Sequence, residues 1–274
     1  MKKILVPTDF SKESEYALKV AAQLAKTYGS EIHLLHLLDL PIQETDPLST
    51  PSELPAAMFF MELANKKIAN LMTRDYLKGL KINVTIKPDN PFNGIIKICK
   101  KNKITMVIMG SHGSTGIREV FIGSIAEKVV RHSDIPVMVI KKEHDNLNVK
   151  QIVFASDFKK ESKHTYKQAI EIAELFKAKI HLLMVNTPTN FMTTTDANKR
   201  IKEFIKGFSF KNYTVNIYNE ETIEIGILNF AGETKADLIG ISTHGRQGLS
   251  HFINGSLSED LVNHAKRPVV TFKI

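Results

Sequence analysis

Met109-Gly110-Ser111-His112-Gly113-Ser114-Thr115-Gly116-Ile117-Arg118-Glu119-Val120-Phe121-Ile122-Gly123-Ser124-Ile125-Ala126-Glu127 is the stretch whose reading decides the fold. The apolar run Met106-Val107-Ile108-Met109 leads into it and has the length of a buried strand. Gly110, Gly113 and Gly116 punctuate a loop, and Gly123-Ser124 opens a helix. A strand, a glycine loop and a helix start, in that order, make a phosphate cradle. Glycine lets the backbone approach an anion, and the N–H groups of a helix N-terminus point at it. Ser124 and Glu127 also have the spacing of a capping box, so Ser124 could simply close the helix end. No lysine precedes Ser124, as a P-loop requires, and the G-x-G-x-x-G dinucleotide pattern is absent here.

Outward from this stretch the chain alternates strand and helix. Ile4-Leu5-Val6 reads as a buried first strand ending in Pro7-Thr8-Asp9. Asp9 falls just past the carboxyl end of that strand, where open α/β sheets bind ligands and where an acid can accept from ribose hydroxyls; a plain turn aspartate is the alternative. Ala17, Val20, Ala21, Leu24 and Tyr28 give one apolar helix face between Ser11 and a C-capping Gly29. Ile32–Leu38 is a second strand, whose His33 and His36 read as core or edge histidines rather than metal ligands. Pro41, Pro47, Pro51 and Pro55 mark an unusually long loop over residues 39–57, placed to cover a pocket at the strand ends. The pattern then predicts a helix from Ala56 to Lys78 near Gly79, a strand over Ile82–Ile86, and a helix capped by Asn90 with Pro91 at its first position. The glycine loop is followed by a helix over 124–132 and a last strand, Val137–Ile140.

The whole pattern then repeats. Ile152–Phe158 restates Ile4–Phe10, and Ile180-His181-Leu182-Leu183 restates Ile32-His33-Leu34-Leu35, both 148 residues on. Ser242-Thr243-His244-Gly245 restates Gly110–Gly113, Gly255-Ser256 restates Gly123-Ser124, and Pro268-Val269-Val270 restates Pro136-Val137-Met138, all 132 residues on. The second copy is therefore 16 residues shorter, the loss falling where the proline-rich loop stands in the first. A repeat of this length means two copies of one fold. The polar segment Lys141–Lys150 separates domains expected over residues 1–143 and 149–274. The βαβ order predicts a parallel, doubly wound sheet in each.

The spacing Gly110, two residues, Gly113, nine residues, Gly123-Ser124 resembles the nucleotide motif of the universal stress proteins, G-2x-G-9x-G-(S/T), at every fixed position. The resemblance covers essentially the whole chain, twice. It implies an α/β fold of two Rossmann-like domains of the adenine nucleotide alpha hydrolase-like type. Each would be a five-stranded parallel sheet with helices on both faces, and the two would pair along their last strands as an internal pseudo-dimer, Val137–Ile140 beside Val269–Phe272. It further implies ATP, with Mg²⁺ as counter-charge. The residues this assigns to the nucleotide are Pro7, Thr8 and Asp9, Leu37 beside adenine, Met109, Gly110, His112 and Gly113, and then Gly123, Ser124 and Ile125 at the phosphates. A second, weaker site would use Asp157, Val185, Ser242, Gly245, Gly255, Ser256 and Leu257. There Ser242 replaces Gly110 and Ala155 replaces Pro7, which weakens the site if the glycine serves positive φ or close approach. A scaffold half that only completes the pseudo-dimer is the alternative.

Composition narrows the functions. The chain has 274 residues, 43% hydrophobic, with no apolar run long enough to span a membrane. The N-terminal apolar run is too short for a signal peptide. The single cysteine, Cys99, excludes an internal disulfide and reads as a buried thiol; the cytoplasm is the expected compartment. Net charge is +8, but the lysines are scattered without an aromatic-basic module, so no nucleic acid is expected. No catalytic triad, carboxylate pair or zinc pattern stands out, and binding and signalling are expected rather than catalysis. Slow ATP hydrolysis and a nucleotide-free interaction module are the rival readings. A further pairing into a homodimer stays open.

Overall fold

The computed structural model describes residues 2–39, 53–112, 122–243 and 255–274. The first half runs β1 (Lys3–Pro7), α1 (Lys12–Tyr28), β2 (Glu31–Leu38), α2 (Glu53–Met72), β3 (Ile82–Pro88), α3 (Pro91–Asn102), β4 (Met106–Gly110), α4 (Ser124–His132) and β5 (Val137–Ile140). The second repeats it as β6 (Gln151–Ala155), α5 (Lys163–Phe176), β7 (Lys179–Asn186), α6 (Thr194–Ile205), β8 (Tyr213–Asn219), α7 (Ile223–Glu233), β9 (Leu238–Thr243), α8 (Gly255–His264) and β10 (Val269–Lys273).

All ten strands form one sheet in the order β3-β2-β1-β4-β5-β10-β9-β6-β7-β8. Pairing is parallel within each half, Ile4 opposite Ile32 and Ile152 opposite Ile180. The halves join at one antiparallel pair, Val139 opposite Val269 and Val137 opposite Thr271. The last strands therefore meet as expected, and neither half keeps its fifth strand as an open edge. Strand residues alternate between two cores. Ile4, Val6, Met138, Phe154 and Val270 pack under α1, α2, α5 and α6. Leu5, Val107, Val139, Val153 and Val269 pack under α3, α4, α7 and α8. Burial on both faces is why these strands read as unbroken apolar runs.

The helix signals act locally. Ser11 caps α1 by accepting from the Ser14 N–H, and Gly29 ends it in the left-handed region at φ 67°. Asn90 caps α3 through the Asn93 N–H, with Pro91 next. Two expectations need correction. The helix predicted from Ala56 to Lys78 begins earlier, at Glu53, and stops at Met72, followed by a 3₁₀ turn at Asp75–Leu77. Its last turn tightens through Thr73 and Arg74, whose N–H groups reach back three residues to Asn70 and Leu71. Gly79, at φ 75°, turns the chain seven residues later. The loop predicted to Ala57 accordingly gives way to helix at Glu53; its residues 40–52 lie outside the described residues. Ser124 is the first residue of α4, not its cap; the cap is Gly123, which offers no side chain.

The linker is strapped to the first half. Gln23 on α1 donates to the carbonyls of His144 (2.6 Å) and Asp145 (3.0 Å) and accepts from the Leu147 N–H (2.8 Å). Tyr28 meets Phe176 edge-on at 6.0 Å, and Lys273 pairs with Asp134 at 2.8 Å, both across the halves. No helix among the described residues is long and apolar enough to cross a membrane. Cys99 is buried, which pushes its thiol up to about 12.

Candidate functional site

In the first half the chain runs outward from β1 to β3 and then returns to β4, so β1 and β4 form the topological switch point. A cavity of about 200 Å³ lies at their carboxyl ends. Ten residues singled out from the sequence line it: Pro7, Thr8, Asp9, Leu37, Met109, Gly110, His112, Gly123, Ser124 and Ile125. The eleventh, Gly113, lies outside the described residues.

The β1–α1 turn is tied by its own side chains. Thr8 Oγ1 accepts from the Phe10 N–H (3.1 Å) and lies 3.1 Å from Ser14 Oγ. Asp9 Oδ1 accepts from the Ser11 hydroxyl (2.6 Å) and the Ser11 N–H (3.1 Å). Asp9 is thus a turn aspartate and a cavity-lining acid at once; the two roles do not compete. His36 lies 2.8 Å from the Thr8 carbonyl, packs tilted against Phe10 at 4.5 Å between ring centroids, and so serves this turn. His33 is buried and sits 3.0 Å from Glu31.

One wall is apolar. Leu35, Leu37, Pro91, Ile95 and Met109 build it, a surface suited to a planar base. Leu37 can lie there because α3 carries Gly94: a Cβ at that position would come within 2.6 Å of Leu37 Cδ1. The sequence reading missed Ser14, Leu35, Pro91, Ile95, Ala126 and the supporting Gly94. A signal for Gly94 existed, since a glycine inside a helix needs a reason and Gly226 repeats it 132 residues on, against Val185.

The opposite end suits an anion. Gly110 is needed for close approach, not for positive φ: a Cβ there would stand 2.7 Å from the backbone carbon of Glu13 and 2.9 Å from its oxygen. At α4, the first intrahelical bond runs from the Glu127 N–H to the Gly123 carbonyl (2.9 Å). The N–H groups of Ser124, Ile125 and Ala126 precede it and have no helical partner, and Gly123 supplies no cap. His112 Nδ1 lies 2.8 Å from Ser111 Oγ, whereas its Nε2 is buried and meets no hydrogen-bond partner among the described residues. Burial, and then the nearby Lys141 charge, hold the imidazole below its ordinary range. Three amides without a helical partner and a ring nitrogen orphaned among the described residues fit a phosphate chain. Among the described residues no group of three His, Cys, Asp or Glu side chains is placed to hold a metal, so a divalent ion here would depend on ligand oxygens.

The second half arranges the matching residues differently. Asp157 is buried; its Oδ1 accepts from the Lys159 N–H (3.1 Å) and the Ser162 hydroxyl (3.2 Å), and its Oδ2 pairs with the Lys159 ammonium at 3.3 Å. Ser242 Oγ is bonded to Thr165 Oγ1 at 2.7 Å, and Val185 is buried. Gly255, Ser256 and Leu257 open α8, while His244 and Gly245 lie outside the described residues.

The universal stress protein family matches residues 1–141 and 217–273, well over half the chain. Universal stress protein MJ0577 of Methanocaldococcus jannaschii is 33% identical over 156 residues, spanning 52% of this chain and 96% of that protein. Universal stress protein Slr1230 of Synechocystis is 22% identical with both chains covered in full. A crystal structure of a universal stress protein from Archaeoglobus fulgidus superposes with a TM-score of 0.72 at 24% identity, covering 99% of this chain and 96% of that one, so the fold is shared across both halves. With its glycine-lined cavity at the switch point and its fold carried twice, the chain belongs to the universal stress protein family.

Proposed function

We propose that the first half binds an adenine nucleotide, ATP accompanied by Mg²⁺, and that the protein acts by binding and signalling rather than by turnover. The observation that carries this reading is convergence: ten residues picked from separate stretches of the sequence line one cavity. The base would lie on Leu35, Leu37 and Ile95, the ribose near Asp9, and the phosphates at Gly110, Gly123 and the first turn of α4. Hydrogen bonds to a charged acceptor are worth about 1.5–3 kcal/mol each, so three α4 amides supply a sizeable share of the affinity. The second half would bind more weakly, because its Asp157 is buried with its second carboxylate oxygen paired to Lys159, and Ser242 stands in the place of Gly110.

The test is the nucleotide content of the purified protein, followed by calorimetric titration with MgATP. We expect close to one ATP per chain, or one MgATP taken up by an empty preparation. Two per chain would make the second half competent, and ADP or AMP in place of ATP would point to hydrolysis. An empty protein that ignores MgATP overturns the reading.

A further inference from the structure

The entry into α4 is held by two N–H groups. Gly123 donates to the Ser111 carbonyl at 2.7 Å, a bond within the first half. Ile122 donates to Oδ1 of Asn263, which lies on α8 in the second half. Asn263 is 7% exposed and Ile122 also 7%, so neither group has water as a ready substitute. The Asn263 backbone carbonyl in turn accepts from the Lys141 ammonium, at the end of β5. A cation on the last carbonyls of a helix is favourably placed, and this one is the same charge that acts on His112. One residue of the second half thus touches both the entry into α4 and the residue that follows β5.

The first half carries a different residue at the matching place. The residue of α4 that corresponds to Asn263, 132 positions earlier, is Arg131. A guanidinium has donors only and cannot accept an amide proton. The Arg131 side chain therefore cannot supply the acceptor that Asn263 supplies.

We propose that Asn263 is a positioning residue of the first-half nucleotide site. Its carboxamide fixes where the amides of Ser124, Ile125 and Ala126 point, so the site is complete only when the two halves are packed. This rests on the nucleotide reading above, and it adds that first-half affinity reports on the junction of the halves.

The full-length chain tests it with Asn263→Ala, which removes the acceptor, and Asn263→Asp, which keeps one. MgATP affinity is read by calorimetry, and the Ile122 amide by NMR hydrogen exchange. Asn263→Ala should weaken MgATP about tenfold and speed Ile122 exchange by a similar factor, the loss expected when a buried amide goes unpartnered. Asn263→Asp should return both to within about threefold of the parent, because it still accepts the Ile122 proton. Unchanged affinity in a folded Asn263→Ala protein overturns the proposal. If that variant does not fold, Asn263→Asp decides: a tenfold loss there, with Ile122 still protected, overturns it too. Should the parent chain bind no MgATP, the nucleotide reading fails, and Ile122 exchange alone judges the cross-half bond; no change in Asn263→Ala then removes it.

Discussion

Gly110 and Ser242 occupy the same place in the two halves, at the end of the strand next to the switch point. Around Gly110, α1 begins at Lys12 and its first turn presses its backbone to within 2.7 Å of where a Cβ would stand. Around Ser242 the matching helix starts later. A 3₁₀ turn occupies Lys160–Ser162, α5 begins at Lys163, and the space admits a hydroxyl bonded to Thr165. The residue matching Thr165 in the first half is Ala17, which could not make that bond. One fold thus carries two solutions: a helix start pressed against a bare strand end, and a helix start held off by a side-chain bond.

The turn residues after β1 and β6 diverge in the same sense. Phe10 and Phe158 both take left-handed backbone, at φ 65° and 52°, and both N–H groups donate to a hydroxyl two residues back. Phe10 stays partly buried and packs tilted against His36. Phe158 is 2% exposed and sits edge-on to Phe204 at 5.1 Å, within an aromatic group that includes Phe154, Tyr166 and Phe272. The aromatic core of the second half draws this turn inward, and the neighbouring Asp157 is buried with it.

The largest expected effect follows from that burial. Phe158→Ala should cost about 3–5 kcal/mol of unfolding free energy, as large-to-small core changes do. Phe10→Ala should cost less, about 2 kcal/mol, since its ring is only partly buried at the edge of the core beside His36 and Lys67. Alanine adds no backbone strain relative to phenylalanine at either site, so the difference isolates packing. Denaturant unfolding of both variants reads it. Equal losses would mean that the two turns are packed alike and that the contrast is one of sequence only.

Exchanging the strand-end residues sharpens the contrast. Gly110→Ser forces a Cβ onto the Glu13 backbone, which has no flexible end to yield, and should cost about 1–3 kcal/mol. It should also weaken MgATP more than tenfold by displacing the first turn of α1. Ser242→Gly loses only the Thr165 bond, about 1 kcal/mol, and Thr165 keeps its bond to the Ser162 carbonyl at 2.6 Å. First-half affinity should not change. A Gly110→Ser protein that melts and binds like its parent would remove close approach as the reason for glycine.

Much of this was legible in the sequence, and the limits have physical causes. Buried parallel strands are strongly patterned, so the five first-half strands and their repeats at β6, β7 and β10 could be read in advance, whereas the half-buried β8 was not located and the pairing along β5 and β10 came with the family resemblance. The end of α2 could not be read either: it stops through three-residue back-bonds at Thr73 and Arg74, with no glycine or proline to mark it. The motif located the phosphate end but not why Gly110 is glycine, because close approach depends on where α1 packs. Ser124 looked like a cap because its spacing to Glu127 is right, yet the chain enters α4 one residue earlier. Asn263 left no trace at all. Its role depends on which helix of one half meets which loop of the other, and no local spacing encodes that.

The smallest effect sets His112 against His181. Burial lowers the affinity of both rings for a proton. The unfolded chain therefore takes up protons first, so each contributes stability that is full above the ordinary histidine value of 6.5 and is lost as pH falls below it toward the depressed folded value. Acid should thus weaken both halves alike, and His33 and His144 shift in the same direction. Nucleotide should separate them. His181 already has both ring nitrogens engaged, with Thr214 at 2.8 Å and Gln151 at 2.7 Å. His112 keeps Nε2 at the cavity, where a phosphate would favour the imidazolium against the opposing Lys141 charge. MgATP should raise the His112 titration midpoint and leave that of His181 unmoved, and by linkage affinity should strengthen as pH falls through the His112 midpoint. NMR titration of the ring protons with and without MgATP reads both. Parallel shifts at the two rings would reveal a change spread through the sheet, and no shift at His112 would take its ring away from the phosphates.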